Sequence, residues 1–237
     1  MPEISIKAEP IFHLFGFSVT NSFLSSSIVM FLTILLCIFY YRQSREQIKK
    51  GFYYVIKFLV NAIYSLFESV FGEKTPLFFP ILFAFFFYIL LQNWFGLLPG
   101  VGSILYRHVP LFRGNNTDLN TTVGLALISF FLIQYYSIKY IGIKGYLKKF
   151  FNFTSPIMFF VGILDIVSEF SKIISFSFRL FGNIFAGEVL ITIIAFLIPI
   201  FASFPFLLFE IFVGMIQALV FSMLTAVFIN GAIQEHH

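Results

Sequence analysis

The stretch "SFSFRLFGNIFAGEVLITIIAFLI", Ser175 to Ile198, decides how the chain is read. It exceeds the roughly 20 apolar residues that a helix needs to cross a bilayer. Yet it carries Arg179 and Glu188 in its interior. The surrounding composition favours a membrane despite those charges. Hydrophobic residues make up 59% of the 237 positions and charged residues 11%, against about 25% charged in soluble domains. So little charge cannot cover a water-exposed surface, and an all-α integral membrane protein is expected.

Further apolar runs flank the stretch. Residues 22–41 form a first predicted span, 76–98 a second and 121–140 a third, with Asp118 or Asn120 as candidate N-cap of the last. Residues 156–198 and 205–234 form a long helical hairpin that turns around Pro199 and Pro205. Residues 1–21 are mixed in character and read as an arm outside the membrane. In 43–72, Lys57, Asn61 and Glu68 share one helical face through spacings of four and seven, which suits a helix lying at the membrane surface. Basic residues mark cytoplasmic loops. They gather at Arg42, Arg45, Lys49 and Lys50 and again at Lys139, Lys144, Lys148 and Lys149. Five crossings with the N-terminus outside and the C-terminus cytoplasmic satisfy that distribution. All these segments belong to a single membrane domain.

Other features narrow the function classes. Cys37 is the only cysteine, so no internal disulfide and no cysteine metal site can form. The opening "MPEISIKAEP" lacks a basic segment followed by an apolar core, and no cleavable signal peptide is expected. Sequons at Asn115, Asn120 and Asn152 read as ordinary loop residues. His236 and His237 close the sequence and read as native or as the trace of a tag. No phosphate-cradling glycine loop and no basic-aromatic surface is present, so neither nucleotide nor nucleic acid binding is expected, and no cofactor or metal is implied.

The ionisable residues of the hairpin carry the chemistry. They are Asp165, Glu169, Lys172, Arg179, Glu188 and Glu210. Each placed in lipid would cost at least a few kcal/mol, so each must face protein or water. At roughly 100° per residue, Asp165, Ser168, Lys172, Ser175, Arg179 and Asn183 fall within about 40° of one line. Gly182 and Ala186 lie near that face, where a partner helix could come close. Glu188 points to the opposite face, and Glu210, Gly214 and Gln217 share a stripe on the last helix. Counted from the turn, Glu188 and Glu210 reach similar depth, and Gln217 comes close to the level of Arg179. Carboxylates thus lie on both sides of a central cation. An arginine stays protonated and cannot relay a proton by titrating, but it can block passage and attract a mobile carboxylate. Two half-channels separated by a positive gate fit this order. A permanent pairing of Arg179 with Glu188 or Asp165 is the structural alternative, as is a pairing of Asp165 with Lys172.

These residues resemble a known family. "SFRLFGNIFAGEVL", "FEIFVGMIQALVFSMLTAVFI", "LQNWFGLLPG", "TDLNTTVGLAL" and "FHLFGFSVTNSFL" are together similar, in order and along nearly the whole chain, to subunit a of the F-type ATP synthase in its bacterial form. The resemblance implies a stator channel beside a rotating ring of subunit c, with the peripheral stalk subunit b, other synthase subunits and lipid as neighbours. It implies no catalysis by the chain alone, and a site in a bacterial plasma membrane rather than a mitochondrial one. Arg179 would be the gate that meets the ring carboxylate. Glu188, Glu210, Gln217, Asn183 and Asn93 would line the outer proton path, and Asp165, Ser168, Lys172 and Ser175 the inner one. Asp165 stands where many relatives carry glutamate, and Glu169 is an additional acid to which the resemblance gives no role. A proton-coupled secondary transporter is the competing function, but no internal repeat supports it. A structural scaffold would require the buried charges to be paired and dispensable.

Overall fold

The computed structural model describes residues 8–14, 17–46, 51–98, 100–101, 104–106, 109–151, 155–198 and 203–234. Lys49, Lys50, Asn152, Pro199, His236 and His237 lie outside the described residues. Six α-helices dominate: α1 Asn21–Arg45, α2 Gly51–Phe71, α3 Thr75–Gly96, α4 Leu119–Phe150, α5 Pro156–Leu197 and α6 Ser203–Gln234. A single 3-10 turn, Gly72–Lys74, separates α2 from α3, so five helical stretches are long and apolar enough to cross a membrane. The described residues also contain two small antiparallel hairpins. One pairs β1 (Pro10–Leu14) with β2 (Phe17–Thr20), the other β3 (Leu105–Tyr106) with β4 (Val109–Pro110). The first lies in the segment read as an arm. Its backbone bonds are local, which gives the chain a defined entry into α1.

The helix starts follow ordinary capping chemistry. Thr20 accepts the Phe23 amide at 3.2 Å to cap α1. Asp118, not Asn120, caps α4, accepting the Asn120 amide at 3.2 Å. Ser155 caps α5, with Pro156 in the first helical turn where its missing N–H costs nothing. α5 has 42 residues and is about 63 Å long, twice the roughly 30 Å hydrocarbon thickness. A helix of that length must tilt strongly or project beyond the bilayer.

The core sits where α3, α4, α5 and α6 meet. Phe86 and Ile89 of α3, Ala126 of α4, Leu180 of α5 and Phe221 of α6 form its centre. A second cluster joins α2 to the bundle through Phe67 and Phe71 packed on Phe78, Leu82 and Ile229. Lys57, Asn61 and Glu68 of α2 are all exposed, on a helix that buries Tyr53, Phe67 and Phe71. Residues 43–45, expected to open this helix, instead finish α1.

The largest departure from the predicted spans is at the end of α4. The helix continues to Phe150 but breaks at Gly142, whose φ of 79° and ψ of 157° are open to glycine and costly for other residues. Beyond the break the chain folds back. Tyr146 donates to Gln134 Oε1 at 2.7 Å, although twelve residues along a straight helix would separate them by about 18 Å. Phe150 then buries against α5 at Gly162, where any Cβ would collide with the Phe150 carbonyl.

Candidate functional site

α5 presents two different faces. Phe176, Leu180, Ile184 and Gly187 are buried against the bundle. Ser168, Ser175, Arg179 and Asn183 are exposed on the other side. Arg179 makes no hydrogen bond or ion pair among the described residues. Neither Glu188 nor Asp165 pairs with it, so the permanent-pairing alternative for this arginine finds no support. An unpaired guanidinium on an apolar helix face is costly in lipid. The face therefore requires water or an oppositely charged partner.

Behind that face, on the side of Arg179 nearer the α5–α6 turn, the polar residues of α5, α6 and α3 converge. Glu210 of α6 is buried and its carboxyl lies against Gly187 of α5; no side chain would fit at position 187 without displacing it. Glu188 is the next residue along. The backbone contact at Gly187 thus brings the two acidic positions to one level, as the count from the turn implied. Asn183 Nδ2 donates to Gln217 Oε1 at 2.6 Å. Gln217 therefore sits beside Asn183, one helical turn from Arg179 on the Glu188 side, rather than at the arginine's own level. Asn93 of α3 is buried over Gly214, donating from Nδ2 to the Gly214 carbonyl at 2.8 Å. Gly214 permits this approach, since a Cβ there would stand 3.1 Å from Asn93 Cβ. One buried polar atom on each of Glu188 (Oε2), Glu210 (Oε1) and Gln217 (Nε2) has no hydrogen-bond partner. Buried polar groups in folded proteins are satisfied by protein or ordered water. Three such atoms lie in this one region of the bundle.

On the other side of Arg179 the expected inner residues divide. Asp165 is half-buried and unpaired among the described residues, while Ser168 and Ser175 stay on the open face. Lys172 turns inward and pairs with Glu169 at 2.7 Å, not with Asp165. It also lies 4.6 Å from the centroid of the Phe228 ring, within cation–π range. Glu169 Oε2 accepts from Gln134 Nε2 at 2.8 Å, and Gln134 in turn accepts from Tyr146. This chain borders a cavity of about 210 Å³ between α4, α5 and α6, whose lining includes Lys149 and Lys172. Through these bonds Glu169 ties the folded-back end of α4 to α5. The contacts of Gln134, Tyr146, Gly187 and Asn116 were not among the expectations from sequence. Only Gly187 left a signal there, as a small residue at a helix–helix contact.

The sequence profile of a family described as "ATP synthase A chain" matches residues 23–230. The chain belongs to that family. Among curated relatives, ATP synthase subunit a of Moorella thermoacetica is 29% identical over 98% of this chain and 99% of its own length. ATP synthase subunit a 2 of Vibrio campbellii is 32% identical over 90% of this chain and 89% of its own. The chloroplastic subunit a of Oedogonium cardiacum is 36% identical over 74% of this chain and 68% of its own. Subunit a is the proton-translocating stator subunit of the F-type ATP synthase, a multi-pass membrane protein that works with partners in the membrane sector of the complex. The transporter alternative is not favoured.

Proposed function

We propose that Arg179 is the gate between two offset half-channels that carry protons to and from carboxylates on a ring of subunit c. The observation that carries this reading is the contrast across α5. The exposed face holds an unpaired Arg179, and the packed face shelters the unpartnered polar atoms of Glu188, Glu210 and Gln217. An arginine without a partner in its own chain is available to a carboxylate that arrives from outside, and it stays charged throughout. Its fixed charge also repels a proton that would pass straight from one half-channel to the other. Glu188, Glu210, Gln217, Asn183 and Asn93 line the outer path. Asp165, Ser168, Lys172 and Ser175 serve the inner side, with Lys172 acting through its pair with Glu169. The ring lies against the Ser168–Ser175–Arg179 face, and the stalk subunit b contacts the chain elsewhere. The chain lies in a bacterial plasma membrane with its N-terminus outside and its C-terminus in the cytoplasm.

Cross-linking tests the placement of the ring. Cys37, the only native cysteine, is first replaced by serine. A cysteine at Ser175 or Ala186 is then expected to form an oxidative cross-link to a cysteine on the outer helix of subunit c. One at Val29, which is buried in the bundle, is not. Cross-linking from neither Ser175 nor Ala186 in assembled complexes overturns the assignment of this face to the rotor.

A further inference from the structure

We infer that Asn116, in the loop between α3 and α4, is a positioning residue of the outer proton path; this rests on the reading of Asn93 and Glu210 given above. Asn116 is fully buried in the 3-10 turn Asn115–Thr117 and donates from Nδ2 to Asn93 Oδ1 at 2.6 Å. Asn93 in turn donates to the Gly214 carbonyl at 2.8 Å. The direction of this chain is fixed at its far end. A backbone carbonyl only accepts, so Asn93 must point its amino group at Gly214 and its oxygen at the loop. Asn116 must then offer its own amino group, because two carbonyl oxygens at hydrogen-bond distance would repel. What remains is Asn116 Oδ1, a buried acceptor with no partner.

Both ends of the chain are therefore meaningful. At one end Asn93 is held against α6 at Gly214, four residues and one turn after Glu210 and three before Gln217. At the other, an acceptor is aimed into the interior and calls for a donor such as water. The turn itself is rigidly placed. Ser22 Oγ of α1 hydrogen-bonds Asn115 Oδ1. Thr117 Oγ1 donates to the Gly114 carbonyl at 2.7 Å, and the buried Arg113 reaches the Thr117 carbonyl at 3.0 Å. A loop residue so held orients Asn93 without touching Glu210, and offers an entering water its first acceptor.

The test uses the complete synthase carrying this chain, reconstituted in phosphatidylcholine vesicles, with ATP synthesis measured against outer proton concentration. Asn116→Ala is expected to raise the half-saturating proton concentration about fivefold, the equivalent of one hydrogen bond between neutral groups, with a smaller effect on the maximal rate. Asn116→Leu, which keeps roughly the size but loses the donor, should behave like Asn116→Ala, and Asn116→Ser should recover part of the shift. Asn93→Ala combined with Asn116→Ala should be no worse than the more affected single variant, since both act through one chain of bonds. An unshifted half-saturation, a lower maximal rate alone, or losses that multiply in the double variant overturn the inference. Glu210→Gln separates the two levels of the claim. If it shifts the profile while Asn116→Ala does not, only the role of Asn116 fails. If Glu210→Gln also leaves the profile unshifted, the outer path itself is misplaced.

Discussion

Gly187→Ala is the most revealing small change in the molecule. It adds one methyl group, and the position of that methyl is already taken. A Cβ at Gly187 overlaps all three atoms of the Glu210 carboxyl group. Either α5 and α6 separate or Glu210 moves. Separation disturbs the packing of Leu180, Ile184 and Ala218, so the carboxyl, at the end of a flexible side chain, is the group that yields. Overpacking of this kind costs about 1–3 kcal/mol. If the cost falls on the placement of Glu210, proton delivery drops about 5- to 150-fold. The assay is ATP synthesis by the reconstituted complex after an acid–base jump, normalised to assembled complex. The reasoning also predicts a rescue. Glu210→Asp withdraws the carboxyl by about 1.5 Å, one C–C bond, so Gly187→Ala with Glu210→Asp should be faster than Gly187→Ala alone. Synthesis at the normal rate in Gly187→Ala would refute the placement of Glu210 against α5.

Two further changes test the opposite end of the hairpin and its supports. Glu169→Ala leaves Lys172 and Gln134 without their shared acceptor. It should lower the thermal stability of the detergent-solubilised chain by about 1–3 kcal/mol, with stability unaltered if the Lys172–Glu169 pair carries nothing. Gly142→Ala places a Cβ in a backbone region that only glycine adopts readily, at a cost of about 1–3 kcal/mol. The same melting measurement should detect it, together with loss of a cysteine cross-link engineered between positions 134 and 146. Failure of that cross-link to form before the substitution, with an unchanged melt after it, would mean that α4 does not break there.

The parts of the fold that could be read in the sequence are those set by long apolar runs. Helix existence follows from segments such as 156–198, where the only stable course for twenty or more apolar residues in lipid is a helix. The faces of α5 were also legible. Spacing alone put Ser168, Ser175 and Arg179 on one side, and they share an exposed surface. What spacing cannot supply is the neighbour. Lys172 lies on the same stripe by angle, but Glu169 and the Phe228 ring draw it into the interior. Gln217 matched Arg179 in depth by residue count. In the folded chain Asn183, one turn from Arg179, holds it by a hydrogen bond.

Local polarity misled in the connecting loop. "RGNNTDLN" reads as a turn with a glycosylation sequon, yet Arg113 through Asp118 are all buried. Asn115 accepts from Ser22, and Asn116 reaches Asn93. A polar loop folded into the head of a bundle looks no different in sequence from one in solvent, since its partners come from distant positions on α1 and α3. Gly142 was similarly silent. An isolated glycine in an apolar helical run usually costs the helix only a fraction of a kcal/mol to about 1 kcal/mol, and nothing in its neighbours announces a left-handed residue.

The central claim is that Arg179 separates two proton half-channels and meets a carboxylate from outside its own chain. Its most direct measurement is ATP synthesis driven by an imposed proton gradient in assembled complexes carrying Arg179→Ala. The account predicts normal amounts of assembled complex and no gradient-driven synthesis, because protons then pass without turning the rotor. Assembled Arg179→Ala complexes that make ATP at the normal rate would contradict it.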